Sequence, residues 1–250
     1  MGYFSYSKIN TFFNCKYQYK LRYIDRVKVD YKTSVEGFMG SLVHKTIERL
    51  HKTLKNKKTL IPKPLLIQHY NQKWDLRWTD DILIVKDKPM SYYKKKGEKI
   101  ISNYYDEFQP FNKYKTLDLE TKDYLKLDKD NYSVRIDRLA KDENDKFYVI
   151  DFKTSSRLPS DEDIDNDTQL SMYSLHIINK YNLDEINLIW RMLSFNKSLK
   201  LKRTKNELLK IKNDIENKIK VIKKEKRFEP NVSKLCHWCS YQDRCNAFNQ

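Results

Sequence analysis

Apolar residues recur at two different periods along this chain, and the change of period divides it. Before about residue 110 the spacing is helical. Leu42, Ile47, Leu50 and Leu54 fall on one side of a helix that follows Gly37 and Gly40. Ser5 and Ser7 are suited to cap a short helix that holds Ile9, Phe12 and Phe13 and reaches Cys15. Residues 65–110 also read as helical, with aromatics at Trp74, Trp78, Tyr92, Tyr93, Tyr104, Tyr105 and Phe108. From about Thr116 alternation takes over. L-D-L-E-T-K-D-Y-L, Y-S-V-R-I-D-R-L-A and F-Y-V-I-D-F-K predict three strands, and K-D-E-N-D-K joins the last two as a hairpin. An acidic loop, D-E-D-I-D-N-D, leads into a helix over 168–181, then a strand, I-N-L-I-W-R-M-L. A basic helix over 204–227 follows, with Leu208, Ile211, Ile215, Ile219 and Ile222 as its apolar stripe.

This order predicts an α/β fold with a mixed central sheet flanked by helices. At 250 residues one substantial core is expected, as a single domain over 1–250. Within it we expect a helical lobe at 31–115, an α/β core at 116–195, a basic helix at 200–227, and two ends, 1–30 and 228–250, folded onto the core.

Composition narrows the class. Aromatic residues make up 13%, which argues against disorder. No run approaches the ~20 apolar residues of a membrane span. M-G-Y-F-S-Y-S-K lacks the layout of a signal peptide, and Tyr6 stands where myristoylation would call for Ser or Thr. The expectation is a soluble cytoplasmic protein. The net charge of +16 points to a polyanionic partner, most simply nucleic acid. Residues 200–227 hold 12 basic and 4 acidic residues, about half of that surplus. A lysine-rich proteome is the bland alternative.

The chemistry is concentrated at the strand ends. Asp137 ends the alternation of V-R-I-D, and Asp151 ends V-I-D. Lys153 lies two residues beyond Asp151 and so on the same strand face. Paired as a hairpin, the strands bring both carboxylates together, where they repel unless a cation intervenes. Mg²⁺, hard and oxygen-seeking, suits such a pair, and Lys153 would orient water or stabilise charge developing on phosphorus. Surface ion pairs at strand ends give the same pattern without chemistry. His44, four residues after Gly40, offers an imidazole that favours Mn²⁺ or Fe²⁺. Gln169 and Tyr173, spaced i, i+4, share a helix face that would pack beside the Asp151 strand.

Taken in order, G-x-x-x-H, I-D-R, D-F-K-T and Q-x-x-x-Y over residues 40–173 resemble the RecB-like branch of the PD-(D/E)XK nuclease superfamily. The resemblance implies a restriction-endonuclease-like fold and Mg²⁺- or Mn²⁺-dependent cleavage of DNA. It implies His44, Asp137, Asp151 and the carbonyl of Phe152 as metal ligands. It also implies Lys153 as the catalytic lysine, with Gln169 and Tyr173 supporting. Glu120 falls where many relatives carry an acid, and is expected in a supporting or second-metal role. One departure is Val134, where the family often has Gly.

Four cysteines remain. Cys236, Cys239 and Cys245 form C-x2-C-x5-C, and Cys15 lies more than 200 residues earlier. In a cytoplasmic chain a metal site is the better reading than disulfides, and spacing leaves zinc and iron–sulfur both open. The one-plus-three split resembles the iron–sulfur subset of RecB-like nucleases, including CRISPR-associated and AddB-type enzymes. That implies a [4Fe–4S] cluster stapling the two ends together. Tyr17, Tyr19 and Tyr23, interleaved with Lys and Arg, are candidates either for stacking on single-stranded DNA or for packing around the cluster. No G-x-x-x-x-G-K-[ST] helicase motif is present. The expectation is a stand-alone exonuclease on single-stranded or free DNA ends, with 5′→3′ polarity favoured by the resemblance. Recombination, repair, phage DNA metabolism or CRISPR adaptation would be its setting, with protein partners from such a complex. The alternatives are an inactive DNA-binding adaptor or a subunit of a larger assembly.

Overall fold

The computed structural model describes residues 2–29 and 33–248. The ends of the predicted segments at 1, 30–32 and 249–250 lie outside the described residues. The chain opens with β1 (Tyr3–Phe4), α1 (Tyr6–Asn14) and α2 (Lys16–Tyr19), the last running on as a π-helical turn over Lys20–Ile24. A short strand β2 (Thr33–Ser34) precedes three long helical segments, α3 (Val35–Lys57), α4 (Lys63–Arg77) and α5 (Met90–Phe108), with β3 (Ile82–Leu83) between the last two. Then come β4 (Lys115–Leu127), β5 (Asp130–Lys141), β6 (Phe147–Lys153), α6 (Asp161–Asp165), α7 (Thr168–Tyr181), β7 (Glu185–Met192), β8 (Lys197–Thr204) and α8 (Lys205–Lys224).

Local chemistry explains the boundaries. Ser5, Ser34 and Asp167 each accept a backbone N–H in the first turn of α1, α3 and α7. Thr204 and Glu207 close a reciprocal cap on α8. α3 and α7 stop at Lys58 and Asn182, both in the left-handed conformation. The predicted α7 matches its observed span, whereas the basic helix begins one residue later and ends three residues earlier than 204–227.

The main sheet is mixed. β4, β5 and β6 run antiparallel in turn, β6 pairs parallel with β7, and β8 closes one edge antiparallel to β7. The parallel β6–β7 pair needs a crossover, and α6 and α7 provide it. β5 pairs along its length with β4, and its other edge takes β6 at 138–141 and β1 at 131–132. The sheet therefore has an unpaired stretch of β5 edge at 133–137, beside the end of β6.

Helices cover both faces. On one face α1, α7 and α8 bury Phe12, Leu175, Leu208 and Ile219 against Val149, Leu188 and Trp190 of the sheet. On the other, α3, α4 and α5 bury Ile47, Leu50, Tyr70, Trp74 and Ile101 against Ala140, Ile150, Phe152 and Ile189. The predicted helical lobe is thus one layer of the fold. At about 25 cal/mol per Å² of apolar surface, packing of this kind supplies most of the folding drive. Val134, the departure from the family pattern, is fully buried in β5 and leaves that strand regular. Among the described residues no helix is long and apolar enough to cross a membrane.

β8 was not predicted. K-S-L-K-L-K-R-T alternates, with Leu199 and Leu201 packed on the core and lysines between them facing outward. Lysines on an edge strand block further pairing, and the same charge hides the strand inside a basic run.

Candidate active site

β6 carries its apolar residues to both layers and then ends on two charges. Val149 packs under α7 while Ile150 and Phe152 pack under α3 and α5. Alternation turns Asp151 and Lys153 toward the α7 side. There Lys153 Nζ lies 2.8 Å from Asp151 Oδ2 and donates to Gln169 Oε1 at 2.8 Å. Gln169 Nε2 in turn donates to the Tyr173 hydroxyl at 3.2 Å. The i, i+4 pair on α7 therefore fixes the lysine through one amide.

Asp137 lies at the unpaired edge of β5. The last antiparallel rung is Arg138 opposite Ile150, so on the β5 side the Phe152 N–H meets no backbone partner and donates instead to Asp137 Oδ2 at 2.8 Å. His44 reaches the same carboxylate from α3, with Nδ1 3.5 Å from Asp137 Oδ2. Gly40 makes that approach possible: a Cβ there would stand 2.7 Å from Thr154 Oγ1, just past the end of β6. The G-x-x-x-H spacing thus lets α3 seat against the strand while His44, one turn on, faces the acids.

Glu120 completes the group. The rungs Leu119–Arg138 and Thr121–Ile136 place it beside Asp137 across β4 and β5. One ligand atom from each of His44, Glu120 and Asp137 lies within 4.8 Å of the others. Glu120 also accepts from Arg135 at 2.7 Å and has a left-handed backbone, φ 49°. An imidazole and two carboxylates suit Mn²⁺ or Mg²⁺. Asp151 is not in that close group but turned toward Lys153. Its Oδ2 is buried and has no well-aligned hydrogen bond.

The electrostatics follow the packing. Burial pushes the Asp151 carboxyl up to about 6, with Lys153 opposing and Asp137 reinforcing the rise. For Lys153, burial acts to lower the pKa, but the Asp151 carboxylate outweighs it and the value rises to about 12. For Asp137 burial acts upward, and His44 and the Phe152 N–H hold the carboxyl below the usual range. For His44 burial acts downward, and Asp137 outweighs it and raises the imidazole.

A cavity of about 650 Å³ opens beside Lys153, lined among others by Tyr6, Arg157, Asp167, Trp190 and Met192. Tyr6 was not among the predicted site residues. Burial raises its hydroxyl pKa, and the charges of Asp167, Lys153 and Asp151 all act on it. Its sole signal in sequence was its place in the first turn after the Ser5 cap.

The cysteines lie elsewhere. Cys15 sits between α1 and α2, and Cys236, Cys239 and Cys245 on short turns near the other end. All four border one cavity of about 230 Å³, together with Trp238 and Leu21. Among the described residues no three of their sulfurs lie within 4.8 Å of one another. Backbone N–H groups point at two of them: Gln18 and Asn231 at Cys15 Sγ, 3.4 and 3.5 Å, and Ser233 at Cys236 Sγ, 3.3 Å. Burial pushes the Cys239 thiol up. Tyr19 is buried against Phe12 and Phe228, and the Tyr17 hydroxyl donates to the Arg244 carbonyl. For these two, packing of the chain ends prevails over an exposed stacking role.

No curated protein matches this chain. Several solved structures resemble it loosely, two of them as follows. One, described as "Crystal structure of SSO0001", has 16% identity over 84% of this chain and 97% of that chain, with a TM-score of 0.36. The other, Rai1 of Scheffersomyces stipitis, has 12% identity over 82% of this chain and 63% of that chain, with a TM-score of 0.22. Likenesses this loose carry no weight. A family match is decisive instead, since it runs over residues 3–246: the chain belongs to the PD-(D/E)XK nuclease superfamily.

Proposed function

We propose that the protein is a metal-dependent deoxyribonuclease that acts on single-stranded or free DNA ends, most simply as an exonuclease. The observation that supports this most is the pairing of a half-buried ammonium with a donor set for a divalent ion. Lys153, held between Asp151 and Gln169, stands at the same strand end as the His44, Glu120 and Asp137 group.

His44, Glu120 and Asp137 would hold Mg²⁺ or Mn²⁺, with Asp151 and the Phe152 carbonyl as further ligands. A divalent ion in such a site supplies charge to stabilise the phosphodiester in its transition state and acidifies water. With its pKa pushed up to about 12, Lys153 stays an ammonium at neutral pH. It therefore donates hydrogen bonds to a phosphate oxygen or to the attacking water and does not serve as the base. Gln169 and Tyr173 position it. Tyr6 and Trp190 line the cavity in which the cleaved nucleotide would sit.

We also propose a [4Fe–4S] cluster on Cys15, Cys236, Cys239 and Cys245. All four cysteines border one cavity, which supports a single shared site. Amide donors aimed at the sulfurs are what cluster thiolates use to tune their charge.

The deciding experiment offers end-labelled linear and circular single strands to the protein with Mn²⁺. Cutting of the linear strand alone, released 5′ end first and abolished by chelation, is expected. Tight binding with no cutting by pure wild-type protein would instead indicate an inactive adaptor.

A further inference from the structure

The positive surplus is unevenly placed over the two layers. On α8 and β8 four of the basic residues are paired locally, Lys212 with Glu216, Lys223 with Asp130, Lys202 with Glu185, and Arg203 with Asp165 and Glu207, and the others are spread along the two elements. On the opposite layer, α3 and α4 enclose a groove of about 480 Å³. Lys45, Arg49, Lys52 and Lys57 line it from α3, and Lys73 and Arg77 from α4. Glu48 is the one acid in the lining, and it pairs with Lys45 at 3.0 Å. Among the described residues the other five cations have no carboxylate partner. His69, between the helices, is driven toward its neutral form by burial and by Arg49, Lys73 and Arg77.

Five unpaired cations in one groove repel one another, and each costs stability that an anion would return. The groove runs past His44, spanning positions 42 to 57 of α3, about 22 Å at 1.5 Å per residue. That length spans several consecutive phosphates of a strand. The lining is polar and charged throughout, with Leu42 its one aliphatic side chain. With His69 its one ring, that lining suits a backbone track more than a base-stacking platform.

We infer that the α3–α4 groove binds the sugar–phosphate backbone of the nucleic-acid substrate outside the cleavage site, giving the enzyme its grip on long strands. This rests on the nuclease reading for the identity of the polyanion. The grip is independent of sequence and strongly salt-dependent.

The test compares two fourfold variants of equal charge change. R49A/K52A/K73A/R77A empties the groove, and K210A/K220A/K224A/K226A removes exposed lysines of α8 and the residues just after it. Binding of a fluorescent 30-nucleotide single strand is measured by anisotropy in Ca²⁺ over a salt series, and turnover of the same strand in Mn²⁺. The groove variant should bind roughly 10- to 100-fold more weakly at 0.15 M salt, with its log–log salt slope reduced by about 3. Its turnover at saturating strand should stay within about threefold of wild type, and the α8 variant should bind within threefold. Unchanged affinity and slope in the groove variant overturn the inference, as does an equal loss in both variants. If wild type binds but never cuts while the groove variant loses binding, the nuclease reading falls and the groove stands.

Discussion

His44, Glu120 and Asp137 come from a helix of 23 residues and two strands of 13 and 12, whereas Cys236, Cys239 and Cys245 come from short turns with no buried residue among them. The first set converges because a sheet and a helix packed on it leave it little choice. Asp137 is tied to the Phe152 backbone, and Gly40 lets α3 close on Thr154. The second set borders a cavity that little secondary structure frames. A site on paired elements exists before its ion arrives; one on turns relies on its cofactor for order. The acidic centre should therefore keep its fold without the metal proposed for it, while the cysteine end should not tolerate loss of the proposed cluster.

The largest effect that tests this contrast is catalytic. Asp151→Asn should lower cutting by more than about 1,000-fold, and Lys153→Ala by roughly 100- to 1,000-fold. Both should melt within a few degrees of wild type by circular dichroism. Co-operative unfolding of either at room temperature would place them in the structural framework instead. Next is Gly40→Ala. Its new methyl would meet Thr154 Oγ1, so α3 must shift by a fraction of an ångström. A loss of roughly 10- to 100-fold in turnover is expected, because misplacement of a catalytic group by about 1 Å costs about that much. Gly40→Ala combined with Thr154→Ala should recover most of it, and failure to recover would mean the contact is not the cause.

How far these sites could be read from sequence depends on where the information lies. Asp137, Asp151, Lys153, Gln169 and Tyr173 sit at fixed offsets on regular elements, and periodicity alone sets their faces. The structure brings each of them to the end of β6 or its neighbours. Glu120 was harder. Its approach to His44 depends on the β4–β5 register and a left-handed backbone, which no local pattern announces. Tyr6 and the groove cations come from segments joined only by packing. β8 was legible as alternation but masked by its lysines.

At the other end of the comparison, Cys239→Ser should strip iron from anaerobically purified protein and abolish its visible absorbance. It should also lower the melting temperature by several degrees, while the folded fraction keeps measurable cutting. Colourless wild-type protein with stoichiometric zinc would remove the cluster from the account.

The smallest effect concerns how the chain ends are pinned. Asp130 accepts from the Gly2 N–H at 2.9 Å and pairs with Lys223, joining β1 and α8 to β5. Burial acts to raise its pKa, but Lys223 and Gly2 outweigh it and hold the carboxyl below the usual range. A depressed folded pKa adds stability above the unfolded value of about 3.9 that is lost as pH falls through the folded one. Asp130→Asn should cost about 1–3 kcal/mol at neutral pH. The gap to wild type should narrow below about pH 4, seen as converging denaturant midpoints.

β6 is paired with β5 as far as Ile150 and with β7 as far as Lys153, and the Phe152 N–H beyond the last β5 rung is held by Asp137. A strand in that position cannot fray on its own, so the amides of 149–152 should exchange with solvent only when the whole domain opens. Heat should therefore silence this protein all at once: residual activity and residual native structure should fall along a single curve, with no warm, folded, inactive state between them.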